Sequence, residues 1–543
     1  MAKSNPKFIF VVGGVMSSVG KGVTTASIGR ILQAKGLTVT AVKADPYINL
    51  DAGTMNPTEH GEVFVTEDRD ETDQDIGNYE RFLNTDVLSV NYMTTGRVYD
   101  TVIRKERNLE YHGDCVEVVP HIPLEIIRRI RAAQRKANAD VTIIEVGGTI
   151  GEYQNILFLE AARMMRTKNP DDVCFMLVSY MPIPERVGEM KTKPTQSAAR
   201  ALNTAGIQAD FIICRAARAL DKKRQEKLAI FCGIAPDHAI SAPDVDMIYQ
   251  IPQIFEQQKL GDKILKQLKL KPRSTKMGSW NSMVNRALKA TKPLRIAVVG
   301  KYFGTGDYTL ADSYISVIEA LKHAAWSQHR KPQLTWIDSE AYEKNPRRVK
   351  ELSQYDGVIV PGGFGSRGIE GIITAIQYVR THRIPYLGLC YGMQLAMVEI
   401  ARHEAKLNKA NTVEINPRST HPIIHINPKQ SENVKLNRYG GTMRLGAFRC
   451  LVKKGTNAYA AYGKTEISER HRHRYEFNNA YREALQSAGV VFSGINPEQD
   501  LVEIAEYKKH PWFVGTQFHP ELKSRPLDPH PLYIGFVKAC IKK

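Results

Sequence analysis

The chain has 543 residues, too many for one hydrophobic core, so two or three domains are expected. A hydrophobic fraction of 43% with mean hydropathy -0.32 describes an ordinary globular protein, and no uninterrupted apolar stretch is long enough to span a bilayer. The formal net charge is +18, yet its lysines and arginines are spread along the chain without a nucleic-acid module, which favours small polyanions such as nucleoside triphosphates as partners. Seven cysteines include no C-x-x-C pair, and MAKSNPKFIFVVGG runs directly into a strand with no room for a cleavable signal; the expected compartment is a reducing cytoplasm.

KFIFVVGGVMSSVGKGVTTASIGRILQAKG reads as an apolar strand, a glycine- and serine-rich turn, and a helix beginning near Lys21. Further strands are expected in LTVTAVKADPYI, DVTIIEVGG, VCFMLVSYMP and ADFIICRA, with helices over 122–137 and 195–205 between them. This alternation predicts an open parallel sheet covered by helices, an α/β domain over residues 1–269. A basic linker with a short helix follows over 270–292. The strand LRIAVVGKY and the helix DSYISVIEALKHAA then restart an α/β pattern over 293–543.

The turn GGVMSSVGKGVTT has the chemistry of a phosphate loop: successive amides curl around oxyanions at a helix N-terminus, and Lys21 reaches a transferring phosphoryl group. It departs from the Walker spacing, since Gly14 comes one residue early and Gly22 stands where Ser or Thr follows the lysine. Thr24 or Thr25 would then supply any hydroxyl near a metal; a glycine-rich surface turn is the alternative. Glu145 ends the strand DVTIIEVGG, where open α/β sheets collect ligands, and is well sited for Mg²⁺. Asp73 and Asp75 form either a second acidic contribution or a solvated acidic loop. Lys43 ends another strand. Lys191, Lys193 and Gln196 in GEMKTKPTQS suit a second phosphate-bearing substrate or form a solvated basic loop.

In the second half, GLCYGMQLA places Cys390 between an apolar run and a helix, where the helix dipole and free amides favour a thiolate. QFHPE supplies His519 as base and Glu521 to hold its tautomer. The glycine run PGGFGSRG offers the Gly363 amide to pair with the Tyr391 amide as an oxyanion hole. This set predicts acyl transfer through a thioester, against a buried structural cysteine as the alternative.

With both constellations in view, the chain resembles the CTP synthase family. The resemblance covers almost the whole chain and rests on GGVMSSVGKG, KADPYINLDAGTMNPTEHGEVFV, DQDIGNYERF, KTKPTQ, PGGFGSRGIEG, GGTMRLGA, ERHRHRYE and TQFHPE. It implies an N-terminal P-loop-type amidoligase in which ATP phosphorylates O4 of UTP and ammonia displaces phosphate, and a C-terminal class I glutamine amidotransferase that supplies the ammonia internally. It further implies catalytic roles for Lys21 and Lys43, and Mg²⁺ at Asp75 and Glu145. ATP contacts are implied at Ser18, Val19, Gly20, Lys21, Gly22, Val23, Asp75, Arg215 and Val245. UTP or CTP contacts are implied at Ser17, Lys191, Lys193, Gln196, Lys227, Glu152 and Gln154. Glutamine contacts are implied at Gly363, Gln394, Glu414 and Arg470, stimulation by GTP through Phe364, Arg367 and Glu370, and an ammonia gate at His60. Family members are dimers that pair into tetramers, and several form filaments.

Some positions depart from the family pattern. Tyr153 and Gln154 follow Glu152 where an acidic-isoleucine-glutamate run is usual, which alters the expected product feedback. Ser197 replaces a common histidine, Ala52 a proline and Asn56 a serine, and Tyr391 follows the nucleophile. Two other readings remain at this level: a cobyrinic-type amide synthetase that activates a carboxylate, and a non-catalytic filament-forming homologue.

Overall fold

The apolar run KFIFVVGG forms β1 (Lys7–Gly14), buried along its whole length. A strand shielded on both faces needs no alternation of polar and apolar residues, which is why its sequence reads as a continuous apolar block. The computed structural model describes residues 5–56, 60–186, 188–301, 304–305, 308–309, 311–427 and 442–543. Pro57, Thr58, Glu59, Tyr302, Gly440 and Gly441, which belong to the motifs and strands read from the sequence, lie outside the described residues. The chain divides into two units, Met1–Asp51 with Asp75–Val284, and Ala52–Gln74 with Asn285–Lys543.

In the first unit β1 is the central strand of a seven-stranded sheet. Its companions are β2 (Val39–Asp45), β3 (Tyr92–Thr94), β4 (Val141–Val146), β5 (Val173–Tyr180), β6 (Phe211–Ala216) and β7 (Ala239–Pro243), in the order β3-β2-β4-β1-β5-β6-β7. Every pairing is parallel. The helices that matter for the site are α1 (Lys21–Ala34), α2 (Asp75–Leu83), α3 (Lys193–Thr204) and α4 (Lys222–Cys232). The strand order reverses direction around β1, so the turn after β1 opens into the crevice where doubly wound sheets bind ligands.

The expected linker is not a free tether along its length. Its helix, Gly278–Lys289, inserts Trp280 into the first unit, fully buried against Phe82 and Tyr249 at ring-centroid distances of 5.2 and 5.7 Å. The indole N–H donates to the Tyr249 carbonyl oxygen at 2.9 Å, so the one polar atom of the ring is satisfied.

The second unit is built on nine strands: β8 (Lys292–Gly300), β9 (Arg330–Asp338), β10 (Gly357–Val360), β11 (Tyr386–Leu389), β12 (Arg444–Val452), β13 (Glu466–His473), β14 (Val490–Asn496), β15 (Leu501–Tyr507) and β16 (Phe513–Thr516). Their order is β9-β8-β10-β11-β16-β15-β14-β12-β13. The sheet is parallel from β9 to β16 and antiparallel from there to β13. The helices α5 (Ile315–Ser327), α6 (Ile369–Thr381), α7 (Tyr391–His403) and α8 (Pro531–Lys542) contribute buried side chains to its core.

Continuous boundaries at 269 and 293 miss one feature: residues Ala52–Gln74 belong to the second unit. The alternation in ERHRHRYE explains the docking. On β13, Arg470 and Arg472 share one face: Arg470 Nε donates to Glu67 at 2.9 Å, and Arg472 Nε to Glu71 at 2.8 Å. The Ala447 N–H adds a bond to the Glu67 carbonyl oxygen at 3.1 Å. Replacing Trp280 by alanine is expected to destabilise the first unit by about 3–5 kcal/mol through the cavity it leaves. A urea titration followed by circular dichroism should show one transition moved to lower urea; an unmoved profile would contradict the anchoring role.

Candidate active sites

The nucleophile of the second unit stands where β11 ends and α7 begins. Cys390 adopts φ 48° and ψ -95°, an uncommon conformation for a residue with a side chain, and is almost completely buried. Its neighbours allow this turn only because they lack side chains. A Cβ on Gly392 would meet the Val360 carbonyl oxygen at 2.3 Å, and one on Gly388 would meet the Tyr386 hydroxyl at 2.6 Å. The Cys390 N–H donates to the Thr516 carbonyl oxygen at 2.6 Å, which locks the turn to the end of β16. Parallel pairing aligns Leu389 with Thr516, so the residues after each strand, Cys390 and Gln517, emerge side by side.

His519 and Glu521 follow on the same connection. The His519 Nδ1 lies 2.7 Å from Glu521 Oε1, which leaves Nε2 for the sulfur. Burial by itself would lower the imidazole's pKa; the Glu521 carboxylate and the Cys390 thiolate outweigh it and raise it to about 10. The imidazole is thus held in its charged form, one N–H on Glu521 and the other on the side of the Cys390 sulfur. A Cβ on Gly362 would lie 2.9 Å from His519 Cε1 and 3.9 Å from Cys390 Cβ, so the glycine run passes directly beside both reacting groups.

These residues line a cavity of about 430 Å³, together with Gly363, Phe364, Tyr391, Gln394 and Glu414. Glu414 accepts a hydrogen bond from the Gly365 N–H at 2.8 Å, and burial raises its carboxyl pKa. Opposite it stands a residue that the motif reading missed. Lys301 donates to the Gly365 carbonyl oxygen at 2.6 Å and lies 4.9 Å from the centre of the Tyr391 ring. Burial lowers its ammonium to about 8, with the nearby Glu414 opposing. The signal that could have found it is its place just beyond the carboxyl end of parallel strand β8, the same rule that singled out Glu145. Arg470 does not line this cavity: its guanidinium is held by Glu67 and the Val65 carbonyl oxygen. Of the proposed GTP-responsive residues, Phe364 is exposed on the cavity wall, Arg367 is paired with Glu340, and Glu370 with Arg402 at 2.7 Å. His60 lies in the inserted segment, its Nε2 3.5 Å from Asp73 Oδ2.

The site of the first unit gathers at the carboxyl ends of β1, β2 and β4. Lys21 opens α1 and donates to the Gly148 carbonyl oxygen at 2.9 Å. Gly13 makes room for it, since a Cβ there would meet Lys21 Nζ at 2.9 Å. The departure at Gly22 has a steric cause: a Cβ would lie 2.0 Å from Asp75 Oδ1, so the α2 carboxylate occupies the place of a Walker hydroxyl. Thr24 and Thr25 are both buried in the first turns of α1. Lys43, at the end of β2, bridges Asp75 at 2.5 Å and Glu145 at 2.9 Å, and lies 3.7 Å from Asp45.

Burial and the charge of Asp75 push Glu145 up to about 7 despite Lys43 and Lys21, and burial raises Asp45 to about 6. Asp75 runs the other way: burial works against its charge, but Lys43 and Asn78 hold its carboxyl below the usual range. Burial lowers the Lys21 pKa, with Glu145 opposing. No group of three or more metal-ligating side chains occurs among the described residues. Two carboxylates with phosphate oxygens and water suffice for Mg²⁺, which retains much of its hydration.

Around this centre, Ser17 and Ser18 lie in the exposed turn after β1, and Val19 to Val23 lead into α1. A Cβ on Gly20 would meet Arg215 Nε at 3.6 Å, and Arg215 donates to Asp244 at 2.9 Å, next to Val245. Lys191 pairs with Glu189 at 2.7 Å, Lys193 opens α3, and Gln196 donates to the Thr192 hydroxyl at 3.0 Å. Lys227 is exposed on α4, whose Arg224 holds the Met190 carbonyl oxygen at 3.0 Å. Glu152, Tyr153 and Gln154 are all exposed beyond β4.

A family model described as CTP synthase N-terminus matches residues 7–270, and one described as glutamine amidotransferase class-I matches residues 309–539. The CTP synthase of Caldanaerobacter subterraneus subsp. tengcongensis is 47% identical over 537 residues, 98% of each chain. That of Geobacillus kaustophilus is 46% identical over 538 residues, 99% of this chain and 100% of its own. The glutaminase domain of Trypanosoma brucei CTPS, solved with bound acivicin, is 36% identical and covers 46% of this chain and 94% of its own, with a TM-score of 0.42. Identity of this order over both units, in a chain that carries a cysteine-histidine-glutamate set on one sheet and a lysine-carboxylate centre on the other, leaves one assignment: the chain belongs to the CTP synthase family.

Proposed function

We propose that the chain converts UTP to CTP at the expense of ATP, with ammonia released from glutamine in the second unit and used in the first. The observation that carries this reading is the Cys390–His519–Glu521 set at the edge of a 430 Å³ cavity, in a chain whose other sheet ends in Lys21, Lys43, Asp75 and Glu145.

In the glutaminase half-reaction the Cys390 sulfur attacks the side-chain carboxamide carbon of glutamine. The developing oxyanion faces the amides of Gly363 and Tyr391, and Glu414 receives the substrate's α-ammonium group. His519 Nε2–H protonates the departing nitrogen, giving ammonia and a glutamyl thioester, and then serves as base for the water that hydrolyses it. Lys301 holds the glycine-rich loop through the Gly365 carbonyl oxygen and balances Glu414.

In the synthetase half-reaction the terminal phosphoryl group of ATP passes to O4 of the uracil ring. Ammonia then adds at C4 and phosphate leaves. The step is needed because a carbonyl oxygen is a poor leaving group until phosphorylated. Lys21 and Lys43 neutralise charge on the transferring group, while the amides after β1 cradle the phosphates. Asp75 and Glu145 would hold Mg²⁺, which supplies further neutralisation of phosphate charge when bound. Lys191, Lys193, Gln196 and Lys227 serve UTP. Arg215 and Val245 serve ATP. His60 acts as the ammonia gate, and GTP acts through Phe364, Arg367 and Glu370. Assembly into a dimer that pairs into a tetramer belongs to the same reading.

The test separates the two halves. Cys390→Ala is expected to lose glutamine-driven CTP formation and keep the reaction driven by added ammonia, whereas Lys21→Ala loses both. Absence of CTP from either nitrogen source in the wild-type protein, with GTP supplied, would overturn the substrate assignment.

The pH dependence follows from His519. Its folded pKa, about 10, lies above the ordinary 6.5, so the ion pair's contribution to stability is complete below about pH 6.5 and is lost as pH rises through about 10. Glutamine hydrolysis should decline over the same alkaline limb, as the proton needed by the leaving nitrogen is lost. In Glu521→Gln that limb is expected to move to lower pH and the rate at pH 8 to fall at least tenfold, read from initial rates of ammonia release. Glu145→Gln is expected to raise the Mg²⁺ concentration needed for half-maximal CTP formation with added ammonia by about tenfold, checked by metal titration; an unchanged requirement would remove Glu145 from the metal site.

A further inference from the structure

Gln517 precedes the catalytic histidine by two residues and is fully buried. Its side chain is tied at both ends. Nε2 lies 3.5 Å from the Cys390 sulfur, and Oε1 accepts a hydrogen bond from Gln394 Nε2 at 3.2 Å. Gln394 in turn donates from the same nitrogen to the Tyr475 carbonyl oxygen at 3.0 Å. A carbonyl oxygen cannot donate, so Gln394 must present its NH₂ group to Tyr475. The remaining hydrogen of that group points to Gln517 Oε1, and Gln517 must therefore present its own NH₂ group to the sulfur. The orientation of both amides thus descends from a fixed backbone atom.

A buried amide N–H without a good acceptor is costly, and a neutral thiol is a weak acceptor. A thiolate is a strong one. The buried NH₂ group is satisfied only while the sulfur is charged, and the arrangement therefore favours the thiolate over the thiol. We propose that Gln517 is a catalytic residue of the glutaminase site, whose side-chain N–H, oriented by Gln394 and the Tyr475 carbonyl, holds the Cys390 sulfur as a thiolate. The inference rests on Cys390 being the nucleophile of the proposed function and adds a donor outside the Cys-His-Glu set.

The same bond acts again in the second half of the glutaminase cycle. Water oxygen adds to the acyl carbon while His519 takes a water proton. As the C–S bond breaks, its electron pair returns to sulfur. A thioester sulfur is a poor acceptor and the departing thiolate a good one, so the Gln517 N–H strengthens as the bond breaks. Gln517 therefore assists thioester hydrolysis directly, whereas before attack it acts only by raising the fraction of the sulfur that is thiolate.

Alkylation of Cys390 by iodoacetamide reads the thiolate without requiring turnover, and the modified peptide is distinguished from the other cysteines by mass spectrometry. In Gln517→Met, which keeps the length of the side chain and removes the donor, the pH midpoint of alkylation is expected to rise by about one unit and the rate at pH 7 to fall about tenfold. Rapid-quench digestion with glutamine present should also show more glutamyl-Cys390 than in the wild type. In Gln394→Met the donor remains but its orientation is released, and the midpoint should rise by a smaller amount. A wild-type midpoint in folded Gln517→Met overturns the proposal. If that variant does not fold, as judged by circular dichroism, an unmoved midpoint in Gln394→Met overturns it instead. Failure of the wild-type protein to hydrolyse glutamine, with the alkylation shifts intact, would count against the glutaminase reading and leave the hydrogen bond standing.

Discussion

A parallel strand delivers its last residues and the first free amides of the following helix to the same edge of the sheet. That constraint governs both units. Lys21 and the phosphate turn follow β1, Lys43 and Asp45 close β2, and Glu145 lies near the end of β4. In the second unit Lys301 follows β8, the glycine run follows β10, Cys390 follows β11, and Gln517 follows β16. None of these groups would meet without parallel pairing, because their separations along the chain are far longer than any local turn can span. Register does the final alignment: opposite Leu389 stands Thr516, so nucleophile and amide donor emerge together.

Concentrating charge at a buried edge is unfavourable unless each charge has a partner, and the two sites meet that cost differently. Around Lys43 one ammonium lies among three carboxylates, which leaves Glu145 and Asp45 with raised pKa values and an excess of acceptors. That imbalance suits a centre that gains cations along with nucleotide phosphates. In the glutaminase site the imidazole stands between the Cys390 sulfur and the Glu521 carboxylate, and His519 rises to about 10 as a result. The former is poised to bind, the latter to react. Close packing enforces both arrangements, since added carbon at Gly22 or Gly392 would collide with Asp75 or with the backbone of Val360.

The inserted segment adds a further dependence. Residues Ala52–Gln74 leave the first unit's sequence run and pack with the second, held by Glu67 and Glu71 on two arginines of β13. Arg470 is fully buried in this attachment, and its guanidinium is committed to the segment. The alternating arginines and histidines of ERHRHRYE are thereby divided by the strand's two-residue period: the arginines grip the segment, while His471 and His473 pair with each other at 2.8 Å in the interior.

Much of this was readable in the chain itself, for a physical reason. Buried parallel strands must be continuous apolar runs, strand-to-helix turns must carry glycine or a catalytic exception, and charged residues at such turns are rarely decorative. Those local rules placed Lys21, Lys43, Glu145 and Cys390 at or just beyond strand ends and predicted two α/β sheets, while the His519–Glu521 pair was read from the motif QFHPE. Three things were decided only by tertiary structure. Gly22 replaces a hydroxyl because a carboxylate from a distant helix occupies its space. Lys301 and Glu414 both bond Gly365 although 113 positions separate them in the chain. Gln517 faces sulfur because a backbone carbonyl orients Gln394. Each depends on which long-range neighbours share an edge, and amino-acid order specifies that only through the packing of the whole sheet.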